Sequence, residues 1–219
     1  MSIQDALAPQ SSGLPSYAAR ERATDALMKR AVDVMVALGA LVVLLPVFAM
    51  LAVAIKLDSR GPVFFRQCRI GLGGVPFRVF KFRTMRVLED GDRIPQTFRN
   101  DPRVTRIGAF LRSSSLDEIP QLLNVLSGEM SLVGPRPHAR AHDEEFERLL
   151  PNYAQRRSVK PGLTGWAQIH GLRGPTPTLE AVRRRTDFDL WYARHASLAL
   201  DLHILAATPR EIVFPRNAL

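Results

Sequence analysis

An aspartate and a glutamate stand side by side in the stretch SSSLDEIPQLLNVLSG, residues 113–128. Two adjacent carboxylates can supply a nucleophile or oxygen ligands for a divalent cation. The same residues also suit the start of a helix, because Ser115 and Glu118 have the spacing of a capping box. Acidic side chains near a helix N-terminus also meet its positive end. The pattern alone leaves a capping role and a chemical role open for Asp117 and Glu118.

The residues around this pair predict a short helix that would position it. Five apolar residues recur at helical spacing: Leu116, Ile119, Leu122, Leu123 and Leu126. Gly128 follows them as a stop signal. Pro120 removes a backbone hydrogen bond inside the helix, so we expect an irregular first turn.

Positive side chains that could meet a phosphorylated substrate lie in two other segments. The stretch FKFRTM, residues 80–85, alternates and predicts a short strand with Lys81 and Arg83 on one face. A solvated edge strand is the alternative. In the stretch GPRP, residues 134–137, two prolines stiffen the backbone around Arg136. Such an arginine suits bidentate phosphate binding, and a rigid connector with a surface arginine is the alternative.

Three later segments complete the predicted elements. The stretch KPGLTGWAQIHG predicts either a glycine-rich loop close to a ligand or a tight turn with Trp166 buried as packing. Residues 178–195 and 197–214 read as two helices. The first combines Arg183 to Arg185 with aromatic residues, which suits a membrane interface. An ordinary amphipathic core helix with a solvated basic face is the alternative.

The apolar run from Val34 to Ile55 spans about 22 residues, which reaches the roughly 20 needed to cross a bilayer. Pro46 divides it into arms of about 18 Å and 14 Å, each short of a hydrocarbon core of about 30 Å. Basic residues flank both ends, so the positive-inside bias gives no orientation for a span. A helix that bends at Pro46 and returns satisfies both flanks. A kinked ordinary span is the alternative.

The overall composition limits the class of partner and the compartment. The chain has 219 residues and a net charge of +9, which suits nucleic acid, a phospholipid surface or a phosphorylated substrate. The single cysteine, Cys68, excludes an internal disulfide and fits a reducing compartment. The sequence contains no cluster of cysteines or histidines with the spacing of a transition-metal site.

Four stretches, taken together and in order, resemble the monotopic phosphoglycosyl transferases, a family of bacterial sugar transferases. They are KRAVD, FKFRTM, LRSSSLDEIPQLLNVLSGEMSLVGPRP and KPGLTGWAQIHG. The resemblance runs from Lys29 to Phe214. It implies transfer of a sugar 1-phosphate from a UDP-sugar to a polyprenyl phosphate such as undecaprenyl phosphate, with release of UMP. This reaction is the initiating step of exopolysaccharide or glycan assembly.

The resemblance also implies roles for individual residues. Asp117 is expected to be the nucleophile that forms a covalent phospho-sugar intermediate, and Glu118 its catalytic partner, associated with Mg²⁺. The residues expected to bind substrate phosphates are Lys81, Arg83, Arg112 and Arg136. The residues expected to shape the membrane helix are Lys29, Asp33 and Pro46. Leu45 is a departure, since many members have a serine at that position.

These inferences predict an α+β, mostly helical fold with short strands and interfacial amphipathic helices. The expected parts are a flexible leader (1–24), a proline-broken re-entrant membrane helix (25–57), a catalytic domain (58–214) and a tail (215–219). We expect the domain to lie on the cytoplasmic face of the inner membrane. The expected partners are a UDP-sugar, polyprenyl phosphate and membrane phospholipid, without nucleic acid, and a homo-oligomer is left open.

Two alternatives to this function come from the composition. The first is a non-enzymatic, membrane-tethered basic module that binds anionic lipid or nucleic acid, since net charge alone does not choose between partners. The second is a multi-span transferase of similar chemistry. The presence of one apolar run in the sequence disfavours the second alternative.

Overall fold

The computed structural model describes residues 17–86, 101–174 and 176–213. The helices are α1 (Tyr17–Asp58), α2 (Arg106–Ser113), α3 (Leu122–Ser127), α4 (Arg140–Leu149), α5 (Trp166–Ile169), α6 (Leu179–His195) and α7 (Leu198–Val213). The strands are β1 (Phe64–Ile70), β2 (Pro76–Phe82), β3 (Ser131–Val133) and β4 (Gly162–Thr164). Short 3₁₀ helices cover Leu72–Gly74, Leu116–Gln121 and Tyr153–Ser158. This architecture confirms the α+β, mostly helical part of the predicted fold class.

The first two strands form an antiparallel hairpin, in which Phe64 lies opposite Phe82. Gly73 and Gly74 in the connecting turn have φ angles of 63° and 84°, which glycine adopts without the strain a Cβ atom would cause. The strand predicted from FKFRTM is confirmed up to Phe82. Arg83 follows the last residue of β2, so it lies outside the basic strand face that its spacing predicted.

The other two strands, β3 and β4, pair in parallel and come unusually close together. A Cβ atom on Gly162 would lie 2.0 Å from the amide nitrogen of Gly134, so only glycine permits this approach. Trp166 follows β4 and stacks on Trp191 of α6, with ring centroids 4.5 Å apart. Close packing therefore accounts for Gly162, and Trp166 is half-buried, while the alternative of a loop close to a ligand stays a prediction.

The helix that follows the acidic pair begins differently from the capping-box prediction. Ser115 has a left-handed φ of 61°, and its side chain makes no capping hydrogen bond. Residues Leu116–Gln121 instead form a 3₁₀ turn that contains Pro120. α3 then ends at Gly128 with φ 86°. The prediction of a capping box is wrong, whereas the predictions of an irregular first turn and of a glycine stop are confirmed.

α1 contains the long apolar run. From Asp25 to Asp58 it is long and apolar enough to cross a membrane. Of its most apolar stretch of 18 residues, 11 % is buried inside the protein. The helix continues through Pro46 without an interruption between Tyr17 and Asp58. The re-entrant course therefore stays a prediction. Residues 17–24, predicted as flexible leader, belong to this helix, while residues 1–16 and 215–219 lie outside the described residues.

Polar contacts attach both ends of the apolar run to the globular part. Near the first end, the Asp33 carboxylate accepts a hydrogen bond of 3.0 Å from the Leu132 amide. Lys29 forms an ion pair with a carboxylate of α7 and donates to a backbone carbonyl of β3. At the far end, the Asp58 carboxylate accepts a hydrogen bond of 3.0 Å from the Ile107 amide of α2. Both ends of the run are thus fixed to the same body.

Both halves of the run also bury apolar side chains in the core. The first half contributes to one cluster with β2, α3 and β3, whose members include Ala37, Phe77, Val79, Leu122, Val125 and Leu132. The second half contributes to a separate cluster of Leu51, Ile55, Phe82 and Leu111. The opposite side of the helix exposes a second apolar set, which includes Met35, Val42, Val43, Leu45, Met50 and Val53. Such a surface fits contact with lipid.

α6 is a core helix with a solvated basic side. Arg183 and Arg184 are exposed, whereas Arg185 and Tyr192 are buried. The ordinary amphipathic alternative therefore describes this helix, and Arg185 does not share the surface position of its two neighbours. The reason is the helical period, which turns successive residues by about 100° and brings Arg185 onto the inward face.

Candidate active site

The acidic pair lies on the 3₁₀ turn that packs against the end of β2. Asp117 and Glu118 are 8 % and 6 % exposed, respectively. The Lys81 ammonium reaches both, at 2.7 Å from Glu118 Oε1 and 4.0 Å from Asp117 Oδ2. The alternation of β2 aims Lys81 at this turn while Phe82 enters the core.

Two arginines bind the same glutamate from other segments. Arg136 donates from Nη1 to Glu118 Oε2 at 2.8 Å and from Nη2 to Oε1, a bidentate pair. The backbone carbonyl of Arg136 is itself held by Arg156 Nη2 at 2.6 Å. Arg173, in the α5–α6 connection, brings Nη2 to 3.6 Å from Glu118 Oε2. Glu118 is therefore the centre of a cluster of positive side chains.

The two carboxylates differ in their electrostatic environment. Burial raises the pKa of Asp117, Lys81 opposes this rise, and the neighbouring Glu118 charge adds to it. Burial also acts to raise the pKa of Glu118, but Arg136 and Lys81 overcome it and hold that pKa well below its usual range. Glu118 is thus fixed as an anion. Asp117 is the more loosely paired carboxylate and the better placed to react.

The predicted phosphate-binding residues have three different outcomes. Lys81 and Arg136 lie in the cluster. Arg112 lies in the last turn of α2, where its charge opposes the rise that burial causes in the pKa of Asp117, and its Nη1 lies 3.7 Å from the Met85 sulfur. Arg83 points elsewhere, as its guanidinium donates to backbone carbonyls at the end of α1. The structure therefore gives Arg83 contacts that tie the end of β2 to α1, and its expected role in phosphate binding stays a prediction.

Sequence reasoning missed two residues at this site. Arg173 had no pattern to mark it, since it follows the glycine-rich segment in an irregular connection. Arg156 belongs to the 3₁₀ segment Tyr153–Ser158, and its Nη2 also binds Asp189 at 2.6 Å. The packing of α6 against that segment places Arg156, and no local sequence pattern predicts it.

The carboxylate oxygens at the site suit a magnesium ion only if substrate phosphates complete its coordination. Among the described residues, no group of three or more histidine, cysteine, aspartate or glutamate side chains could hold a metal ion by itself. Mg²⁺ is, however, commonly bound by one or two carboxylates together with substrate phosphates. Asp117 and Glu118 satisfy that requirement. The oxygens of Glu118 already accept hydrogen bonds from Lys81 and Arg136, so Asp117 is the less occupied donor.

Comparison with known proteins gives consistent matches over this whole region. The profile described as bacterial sugar transferase matches residues 24–215. A relative from Escherichia coli (strain K12), named UDP-glucose:undecaprenyl-phosphate glucose-1-phosphate transferase, is 49 % identical over 195 residues, covering 89 % of this chain and 42 % of the relative. A relative of the same name from Caulobacter vibrioides is 50 % identical over 192 residues, covering 88 % of this chain and 72 % of the relative.

A third relative has nearly the same extent as this chain. The exopolysaccharide production protein PSS of Rhizobium leguminosarum bv. phaseoli is 49 % identical over 188 residues, covering 84 % of this chain and 94 % of the relative. In contrast, the chain spans 42 % of the length of the Escherichia coli relative. The profile match covers the long apolar helix α1, the acidic pair and the cationic cluster together. The chain therefore belongs to the bacterial sugar transferase family.

Proposed function

We propose that this chain transfers a sugar 1-phosphate from a UDP-sugar to undecaprenyl phosphate, as the initiating step of exopolysaccharide or glycan assembly. The observation that carries the proposal is the buried Asp117 beside a glutamate that holds three positive side chains. Two of the relatives described above are named for UDP-glucose, so UDP-glucose is the first donor to test. Membership of a transferase family favours this reaction over a non-enzymatic basic module.

In the proposed first step, an Asp117 carboxylate oxygen attacks the phosphorus that carries the sugar. The bond between that phosphorus and the oxygen bridging the two phosphates breaks. UMP leaves with the electron pair on that oxygen, and the sugar phosphate remains attached to Asp117. This step requires Asp117 to be ionised, because a protonated carboxyl is a poor nucleophile.

In the proposed second step, an oxygen of polyprenyl phosphate attacks the same phosphorus. The bond between Asp117 and phosphorus then breaks, which returns the free carboxylate and forms a polyprenyl diphosphate sugar. A covalent intermediate divides one transfer between two anions into two separate displacements. Charges, atoms and electrons balance without a further reactant.

The cationic cluster supplies the electrostatic part of the mechanism. Both substrates are anions and would repel an attacking carboxylate, so positive groups at the site lower this barrier. Lys81 and Arg136 are already fixed by Glu118, which reduces the reorganisation needed when substrate binds. Asp117 or Glu118 would hold Mg²⁺, which would neutralise further negative charge at the site.

The contacts of α1 support the proposed topology, in which the helix enters and leaves by the cytoplasmic face. Asp33 and Asp58 both bind the globular part, yet a straight helix would separate them by about 38 Å, at about 1.5 Å per residue. A full crossing would place the two ends on opposite sides of a hydrocarbon core of about 30 Å. One folded body bound to both ends is more easily accommodated on one face.

A UMP-release assay on the purified full chain in detergent or nanodiscs tests the function. The assay contains polyprenyl phosphate, Mg²⁺ and one of several donors: UDP-glucose, UDP-galactose or UDP-N-acetylglucosamine. We expect UMP release and a lipid-linked sugar with at least one donor, and UDP-glucose to be the best. If no donor yields UMP above an enzyme-free control, the proposed function is wrong.

A further inference from the structure

Arg173 holds a position at the candidate active site that neither of the predicted arginine segments supplied. Its guanidinium lies 3.6 Å from Glu118 Oε2, close enough for an ion pair but beyond a good hydrogen bond. Its side chain is 25 % exposed, against 7 % for Glu118. The guanidinium therefore keeps donors that an incoming anion could use, whereas those of Arg136 already form a bidentate pair with Glu118.

A second arginine supports the backbone beside Arg173. Arg185 of α6 is buried, and its Nη2 donates a hydrogen bond to the carbonyl of Gly174, the residue directly after Arg173. Its Nε is buried without a hydrogen-bond partner in the part of the chain that the structure describes. Burial lowers the pKa of Arg185 to about 10, and the charges of Arg136 and Arg156 act in the same direction. The charge of the buried Asp189 opposes this shift, and the hydrogen bond to Gly174 is the contact by which Arg185 reaches the Arg173 segment.

The positive charges at the site outnumber the negative charges of its two carboxylates. Four positive side chains, Lys81, Arg112, Arg136 and Arg173, act on Asp117 or Glu118. Four positive charges against two carboxylates leave about +2 when both acids are ionised. A sugar nucleotide carries about two negative charges on its diphosphate, one on each phosphate. The excess charge therefore matches the diphosphate of the donor.

We propose that Arg173 binds the diphosphate of the UDP-sugar and that Arg185 is a positioning residue that holds the Arg173 backbone in place. This inference rests on the proposed function, since it takes the UDP-sugar as the ligand of this site. Arg185 acts through the Gly174 carbonyl and touches neither Asp117 nor Glu118 in the described contacts. Its effect on substrate therefore passes through Arg173.

Equilibrium binding tests Arg173 separately from turnover. Calorimetry on the full chain in detergent measures the Kd of UDP-glucose for wild type, Arg173→Ala and Arg173→Lys, each carrying Asp117→Asn so that the donor is bound but not consumed. We expect Arg173→Ala to weaken binding about 10- to 100-fold, because a charged hydrogen bond is lost. Arg173→Lys should recover part of the loss. Equal Kd values for wild type and Arg173→Ala overturn the inference, and absence of UDP-glucose binding to wild type overturns it as well.

Turnover separates this inference from the proposed function. If wild type binds UDP-glucose but releases no UMP from any UDP-sugar, the proposed function fails and the Kd ratio still decides the role of Arg173. If wild type is active, Arg173→Ala should raise KM for UDP-glucose by about tenfold or more. The KM for polyprenyl phosphate should change less than about twofold. Equal increases in both KM values contradict donor recognition by Arg173.

A double-mutant cycle tests Arg185. We expect Arg185→Met to raise KM for UDP-glucose, Arg185→Lys to restore part of it, and exposed Arg184→Met to leave it unchanged. Because Arg185 acts through Arg173, the double variant should have nearly the KM of Arg173→Ala alone. Independent, additive losses overturn the positioning role. If Arg185→Met does not fold, Arg185→Lys in the same cycle gives the answer.

Discussion

Lys81 and Glu118 form an ion pair of 2.7 Å that joins the end of the β-hairpin to the turn carrying the acidic pair. The pair lies between two buried elements, so it fixes the position of the adjacent Asp117 relative to β2. Lys81 also lies 4.0 Å from Asp117, and it therefore contributes both to the geometry of that carboxylate and to its charge state. The predictions that follow depend on this arrangement.

Asp117→Asn should abolish turnover, by at least about 10⁴-fold, because the amide cannot act as the nucleophile. The variant should keep the fold, since the substitution preserves shape. The measurement is UMP release together with trapping of a radiolabelled sugar phosphate on the denatured protein. Trapping at wild-type yield on Asp117→Asn would disprove the assignment of Asp117 as nucleophile.

Glu118→Gln should reduce turnover and raise the Mg²⁺ concentration needed for half-maximal UMP release by about tenfold or more. The glutamine loses the charge that fixes Arg136 and Lys81, and it is a weaker ligand for a hard cation. A magnesium titration of wild type and variant measures the effect. An unchanged titration would leave Glu118 with an electrostatic role and no connection to the metal.

The pH dependence of the first half-reaction reports the pKa of Asp117. Because burial and the Glu118 charge raise this pKa, activity should be lost on acidification at a higher pH than an ordinary aspartate requires. Lys81→Met removes a charge that lowers the pKa, so the acid limb should move to higher pH. Glu118→Gln removes a charge that raises it, so the limb should move to lower pH.

Single-turnover UMP release without polyprenyl phosphate is the appropriate measurement, because the acceptor phosphate titrates in the same range. Arg78→Met, which removes an exposed charge from the same strand, is the matched control and should leave the limb in place. Shifts of the same sign for Lys81→Met and Glu118→Gln would exclude Asp117 as the titrating group.

Arg83→Met should lower the stability of the protein more than it changes substrate affinity. The substitution removes a buried guanidinium from the carbonyls of Ser59 and Arg60, and each charged hydrogen bond contributes about 1.5–3 kcal/mol. Thermal unfolding in detergent should show a lower Tm, while KM for UDP-glucose stays within about twofold. Arg78→Met again serves as control. A raised KM at unchanged Tm would support the phosphate-binding role first expected for Arg83.

The topology can be tested by single cysteines at the two ends of α1. Asp25→Cys and Arg60→Cys, each in a Cys68→Ser background, place exposed thiols before and after the apolar run. In intact cells with a permeabilised outer membrane, an impermeant thiol reagent should label neither site, and both should react after lysis. Labelling of only one site from outside would show that the helix spans.

Pro46→Ala then tests the cause of the proposed return. Proline removes a backbone hydrogen bond and favours a bend, so alanine should straighten the run to about 33 Å, at about 1.5 Å per residue. We expect this variant to expose one flank outside and to lose activity. If its labelling matches wild type, docking of both helix ends on the domain maintains the topology without the proline.

Local patterns predicted the parts of this molecule that depend on neighbours in sequence. The apolar run, β2 and the Gly128 stop each follow from spacing or conformational preference. The motif also located Lys81 and Arg136 at the acidic pair. The capping box failed because Glu118 has stronger charged partners across the fold than its own helix could supply.

The remaining site residues depend on packing between distant segments. Arg173 reaches Glu118 from the α5–α6 connection, which is distant from the acidic pair along the chain. Arg185 stood in a run of three arginines whose chemistry is identical, and only the orientation of α6 separates the buried one from the exposed two. β2 ends at Phe82, so Lys81 lies on the strand whereas Arg83 lies beyond it. Pairing with β1 determines this end point.

The burial of α1 side chains on both sides of Pro46 has a consequence for any attempt to obtain a water-soluble form of this protein. Ala37 belongs to one core cluster and Leu51 to the other, so α1 is part of the hydrophobic core as well as the helix proposed to contact lipid. Deleting α1 would open both clusters to water and remove the polar attachments made by Asp33 and Asp58. α1 thus serves both the fold and the proposed membrane contact, so a truncation that removes this helix cannot eliminate one role and keep the other.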